Sequence, residues 1–143
     1  MEEAANSLIP RHADVRAEWH WVGPIIKELL EDNPDVQAIP EDIYADCKSG
    51  KAHLWVSPHY VVITEFEITE YSGEVNLCIS YAHALQRGKR FGIEVMGYLE
   101  QFARQNKCAG ITFGTRHQPL IDYLCDELGF RVSTQILKRE IGT

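Results

Sequence analysis

The chain has 143 residues and a formal net charge of −7, with 45% apolar and 24% charged residues. That size and balance fit one soluble domain, 1–143, with a real core. The acidic balance argues against a dedicated nucleic-acid binder, which needs a basic face to displace counterions from phosphates.

No apolar run approaches the roughly 20 residues that span a bilayer, so no membrane partner is expected. The start, Met1-Glu2-Glu3, lacks the basic-then-apolar layout of a secretory leader, and a cytoplasmic protein is expected. Cys47, Cys78, Cys108 and Cys125 form no C-x-x-C pair, and the six histidines show no H-x-x-x-H spacing. Reduced thiols and no metal site are the expectation.

In chain order, residues 1–11 are polar and read as irregular or as a short edge strand. Asp14 can cap a helix that runs to Trp21. Gly23-Pro24 punctuates it, and Pro24 opens a further helical segment faced by Ile25, Ile26, Leu29 and Leu30. Asn33-Pro34 stops that segment. A short helix starts at Pro40, with Glu41 and Asp42 in its first turn, and Gly50 is placed to end it.

Three strands rich in Val, Ile, Tyr and Phe follow, at 52–56, 60–68 and 74–82. Their short joins at Ser57-Pro58-His59 and Tyr71-Ser72-Gly73 predict an antiparallel meander. Residues 89–105 predict a long helix faced by Phe91, Val95, Leu99 and Phe102. A buried strand at 110–113, an amphipathic helix at 118–128 ended by Gly129, and a final strand at 131–141 complete the order. The unit from 74 to 113 predicts a parallel crossover, and the whole predicts an α/β fold, a mixed sheet of about 5–7 strands flanked by helices.

Chemistry concentrates between residues 79 and 92. A strand ends, the loop Arg87-Gly88-Lys89-Arg90-Phe91-Gly92 follows, and a long helix begins. Free N–H groups at a helix start, with basic side chains beside them, suit an anion such as a pyrophosphate. A solvated basic loop that merely precedes a helix satisfies this segment as well.

Residues 87–92, together with Leu124-Cys125-Asp126-Glu127-Leu128-Gly129-Phe130, resemble the paired motifs of the GNAT superfamily of N-acetyltransferases. In that family R-G-x-G-x-G/A opens the long helix and L-Y-x-x-x-G-F precedes a closing strand. The resemblance covers residues 74–141 and implies an acyl-CoA N-acyltransferase fold with acetyl-CoA as cofactor and an amine as acceptor. It implies that the loop Arg87, Gly88, Lys89, Arg90, Phe91 and Gly92 holds the pyrophosphate, and that the strand end at Tyr81 and Ala82 pairs its backbone with the pantetheine arm. It implies as well that strand 110–113 splays away to make the slot for that arm.

The sequence departs from the pattern at two positions. Arg90 replaces the middle glycine of the loop, and Cys125 replaces the tyrosine that commonly protonates the leaving thiolate. A Cys125 thiol can still donate a proton. The candidate bases are Glu65, which shares a strand face with Glu67, and His83 just past a strand end. Each has an alternative reading: a solvent-facing acidic pair for the glutamates, a surface histidine for His83. Trp19, Trp21 and Trp55 are core anchors or line an acceptor pocket.

The short form, with Ala52-His53-Leu54-Trp55-Val56 as a leading strand, also resembles small GNAT-like proteins of tailed bacteriophages. That resemblance implies an alternative: a non-catalytic structural or binding component of a bacteriophage particle, placed in the virion or host cytoplasm. A protein partner or homo-oligomer is expected on either reading, since this architecture leaves strand edges exposed.

Overall fold

In the computed structural model, residues 11–85, 93–115 and 117–142 are described. Strand β1 (Arg11–Ala13) leads into helix α1 (Val15–Glu31), then helix α2 (Pro40–Ser49). Strands β2 (Ala52–Val56), β3 (Tyr60–Ile68) and β4 (Val75–Ala84) follow, then helix α3 (Ile93–Gln105), strand β5 (Gly110–Phe113) and helix α4 (Gln118–Glu127). The strands form one sheet in the order β1-β2-β3-β4-β5. The first four are antiparallel to their neighbours and β5 is parallel to β4. This is the mixed sheet that the sequence predicts.

Helix α1 is continuous through Gly23-Pro24, where a break was expected. Its buried positions Val15, Val22, Ile26 and Leu30 keep one helical stripe across the proline. Pro24 lies on the exposed side, so its ring and missing N–H disturb only the solvent-facing wall. Gly23 lies against the Trp19 indole, where a Cβ would come within 3.1 Å of the ring. The Asp14 carboxylate accepts from the Arg16 backbone N–H at 3.0 Å and caps the helix as expected. Pro40 begins α2, the Asp42 carboxylate accepts from the Ile39 N–H at 3.0 Å, and Gly50 ends it with a φ of 87°.

Two cores sandwich the sheet. On one face α1 and α2 cover Ala52, Leu54, Val56, Val61 and Ile63. On the other α3 brings Val95, Met96, Leu99 and Ala103 onto Trp55, Val62, Leu77 and Ile79. Side chains alternate along β2 and β3, so neighbouring residues serve opposite cores. The turn into β3 is held by Ser57, whose hydroxyl accepts from the N–H groups of His59 and Tyr60.

The strand expected at 131–141 is not formed. Those residues are exposed and pair with no strand among the described residues. Val132 and Ile136 have one parity and Leu137 and Ile141 the other, so no single strand face gathers the apolar side chains. The segment's start is anchored: the Phe130 N–H donates to the Leu124 carbonyl at 3.1 Å, and Leu128 and Phe130 pack on the α3-side core.

Candidate active site

The register between β3 and β4 slips by one residue. Ile63 faces Tyr81 but Thr64 faces Ile79, so Ser80 is an extra residue in β4. Such a bulge resets the alternation of side chains. Before it, Leu77 and Ile79 point to the α3 core; after it, Ala82 packs there while Tyr81 and Leu85 pack on the α1–α2 side.

The parallel ladder between β4 and β5 ends at the same level. Its pairs run from Asn76 with Gly110 to Ile79 with Phe113, and β5 stops there. Strand β4 continues to Ala84. Residues 81–84 therefore pair with β3 on one side and, among the described residues, with no strand on the other. The result is a slot that opens from the bulge, bordered by backbone groups of β4 that no strand pairs among the described residues. A free strand edge of this kind suits an extended, amide-containing chain. The pantetheine arm of coenzyme A is such a chain, so the residues present fit that part of the cofactor. Arg87, Gly88, Lys89, Arg90, Phe91 and Gly92, the expected pyrophosphate loop, lie outside the described residues.

Glu65 lies on β3 opposite Cys78 and is half-buried. By alternation it shares the α1–α2 face with Tyr81, beyond the bulge. Burial raises the Tyr81 phenol above its usual range, and the charges of Glu65 and Asp46 raise it further. Tyr81 thus stays protonated at neutral pH and places a phenolic O–H on the Glu65 side. Glu67 shares that face but points to the other end of the ladder, where it accepts from the Thr112 hydroxyl at 2.9 Å.

His83 follows Tyr81 by two residues, opposite Val61, and is half-buried. Cys125 is half-buried on α4, next to the buried Leu124. Among the described residues, no hydrogen bond or ion pair joins Glu65, His83 and Cys125. Gln118, at the α4 start, donates to the Asp122 carboxylate at 2.8 Å.

All four cysteines are free thiols. Burial pushes Cys47 and Cys78 up to about 11, which keeps both protonated and poorly nucleophilic. Among the described residues, no group of three or more His, Cys, Asp or Glu side chains is arranged to hold a metal ion, and no helix is long and apolar enough to cross a membrane. The tryptophans serve the cores: Trp55 is buried, and Trp19 packs edge-on against Tyr44. Trp21 donates to the Glu18 carboxylate. A cleft of about 460 Å³ at the β1–β2 margin, lined by His12, Arg16, Cys47, Lys48 and His53 among others, lies at the opposite edge of the sheet from the slot.

A bulged β4 beside a parallel β5 that stops short, between two helical layers, defines the class: the chain has the fold of GNAT-type N-acetyltransferases. Solved structures agree. A mutant of the BH1408 protein of Bacillus halodurans superposes with a TM-score of 0.72 at 13% identity, covering 93% of this chain and 99% of that one. A putative acetyl transferase from Pyrococcus furiosus gives 0.64 at 11% identity, over 92% and 99% of the two chains. The aminoglycoside N-acetyltransferase AAC(6')-Iy, solved in complex with CoA, gives 0.63 at 11% identity, over 94% and 99%. No family model matches the chain, and no curated protein does.

The bulge at Ser80 and the Tyr81 phenol beside Glu65 escape a reading by motif. A signal exists nonetheless. Leu77, Ile79 and Tyr81 keep a two-residue period, and Ala82 directly after Tyr81 interrupts it.

Proposed function

We propose that the protein is an acyl-CoA-dependent N-acyltransferase that transfers an acetyl group to an amine. The observation that carries this reading is the free edge of β4 beyond Ser80, opened where β5 ends at Phe113. The backbone of Tyr81 and Ala82 would hold the pantetheine arm, and the loop from Arg87 to Gly92 would take the pyrophosphate. Bound there, the acetylated cofactor supplies a thioester carbonyl at the slot.

There the acceptor amine would attack the carbonyl, a C–N bond forming as the C–S bond breaks. Glu65, half-buried on the Tyr81 side of the sheet, takes the proton that the amine loses; His83 is the other base within the same stretch of sheet. The departing thiolate needs a proton in return. Cys125 stands at the motif position for that acid, and the Tyr81 phenol is a second donor. General acid–base assistance of this sort is worth roughly 10²–10⁴-fold in rate.

Acetyl-CoA titration against thermal unfolding tests the reading. At a hundredfold its Kd, a ligand bound only to the folded state stabilises by about 2.7 kcal/mol. A clear upward shift in Tm is expected. No shift at millimolar acetyl-CoA would overturn the proposal and leave the non-catalytic component reading in its place.

A further inference from the structure

His12 and His53 meet at the β1–β2 margin, at the opposite edge of the sheet from the slot. The register sets His12 opposite Trp55, and His53 comes two residues before Trp55, so both imidazoles stand on one face of the sheet. They are diagonal neighbours, close enough for their rings to touch. Strand β1 ends at Ala13, opposite Leu54, so His53 lies just past the last pair of that ladder.

Aromatic neighbours hold each ring in place. His12 stacks on Trp55, with centroids 5.1 Å apart and planes at 29°. Trp55 is itself fixed by its bond to Thr64. His53 packs edge-on against Phe66 and Phe102, at 5.7 and 5.5 Å. His12 is exposed and His53 half-buried, so water reaches the junction of the two rings. Rings placed in this way lose little freedom when they bind a ligand.

The facing atoms are His12 Nε2 and His53 Nδ1, 3.3 Å apart. A metal ion imposes the same separation. Zn(II) holds imidazole nitrogens at about 2.0–2.1 Å in a tetrahedral array, which sets two of them about 3.3–3.4 Å apart. Without an ion, one facing nitrogen carries a proton and donates it to the other. An ion needs a lone pair from both. The donating ring provides one by moving its proton to its far nitrogen, a change of tautomer that releases no proton. Neither far nitrogen makes a hydrogen bond among the described residues, so no partner there locks the tautomer.

Electrostatics permits a cation at this margin. Arg16 borders the same cleft but is paired with Asp14 at 3.4 Å. Lys48 opposes the ion from an exposed position, where salt and water screen its charge. The chain as a whole carries −7, which favours cations. The cleft of about 460 Å³ beside the pair has room for waters that complete the coordination.

We propose that His12 and His53 form a two-imidazole site for a divalent transition ion of the Zn(II), Ni(II) and Cu(II) class, with water in the remaining positions. Imidazole suits these ions, whereas Mg(II) and Ca(II) take oxygen ligands. With two protein donors the site is open and its ion exchangeable, unlike the closed four-ligand site of a structural zinc. The ion would tie the three-residue strand β1 to β2, and with it the start of α1. The site does not depend on the acyltransferase reading.

Calorimetric titration of Zn(II) into the full chain, with Mg(II) as the control ion, tests the site. One ion per chain is expected for Zn(II) and none for Mg(II). Losing a ligand costs at least what losing its outer-shell partner costs, roughly 10–100-fold in affinity. His12→Ala and His53→Ala should each weaken binding by that much, and the double variant little further, because one imidazole alone holds the ion poorly. His20→Ala, which removes an exposed histidine of α1, should leave the affinity unchanged. Should His53→Ala disturb the aromatic cluster, imidazole nitrogen NMR of the wild type still decides: with Zn(II) added, His12 should carry its proton on Nδ1 and His53 on Nε2. Absence of Zn(II) binding, additive losses in the double variant, or rings that keep their shared hydrogen bond in the presence of the ion overturns the proposal and leaves a hydrogen-bonded pair only.

Discussion

The indole N–H of Trp55 donates to the hydroxyl of Thr64 at 2.9 Å, across neighbouring strands and inside the α3-side core. Thr64 is fully buried and Trp55 nearly so. Neither strand can supply a second acceptor without moving, because backbone carbonyls there serve the ladder. Thr64→Val keeps the shape but leaves the indole N–H unpaired. It should cost about 1–3 kcal/mol, read as a lower denaturant midpoint with an unchanged slope. Thr64→Ser keeps the oxygen and should cost less than Thr64→Val. A larger cost for Thr64→Ser than for Thr64→Val would show that the methyl group, not the bond, matters.

Much of this architecture is legible in the sequence because local signals and tertiary packing agree. The Asp14 cap, Pro40 at a helix start, Gly50 at its end and the β2–β3–β4 meander all follow from capping and turn chemistry. Two elements read differently for identifiable reasons. Gly23-Pro24 looks like a break between two helical segments, yet the stripe from Val15 to Leu30 buries enough apolar surface to hold one helix through it. Residues 131–141 look like a strand, yet a strand exists only where another strand faces it, and that depends on the fold rather than on the segment. The site divides in the same way. Spaced motifs point to the slot, whereas the placing of Tyr81 on the same sheet face as Glu65 depends on a one-residue slip at Ser80.

Gly50 offers a clean measure of backbone strain. Its φ of 87° lies in the left-handed region, and a Cβ built there meets nothing within 4 Å. Gly50→Ala should therefore lose roughly 1–2 kcal/mol through conformation alone. Gly50→Asn should lose less, because asparagine tolerates that region. Thermal denaturation of the pair checks the order; an Ala variant as stable as the wild type would contradict it.

His53 makes stability depend on mildly acidic pH. Its Nδ1 lies 3.3 Å from His12 Nε2, and its ring packs edge-on against Phe66 and Phe102. Burial lowers its pKa below the usual histidine value, and the neighbouring His12 lowers it further. The unfolded chain then binds more protons than the folded one below about pH 6.5. The contribution is complete above that pH and is lost as the pH falls through it toward the lower folded value. Tm measured between pH 5 and 8 should decline on the acid side. His53→Phe, which suits the aromatic neighbours, should flatten the decline; an identical pH profile would rule His53 out as its source.

Glu65 separates binding from chemistry within the proposed acyltransferase. It sits half-buried beyond the backbone edge that would hold the cofactor, on the face it shares with Tyr81. Glu65→Gln preserves size and hydrogen bonding but cannot take a proton. If Glu65 is the base, kcat/KM for the amine should fall by roughly 10²–10⁴-fold. The Tm shift given by acetyl-CoA should stay as in the wild type, because the proposed pantetheine contacts are made by the backbone of Tyr81 and Ala82 and not by the Glu65 side chain. Removing the carboxylate also removes a charge that raises Tyr81, so the Tyr81 phenol should titrate at lower pH in the variant, visible in its ultraviolet difference spectrum. A variant with full turnover and a shifted tyrosine would leave Glu65 as a neighbour of Tyr81 only. The base would then be sought at His83, where His83→Gln should give the loss instead.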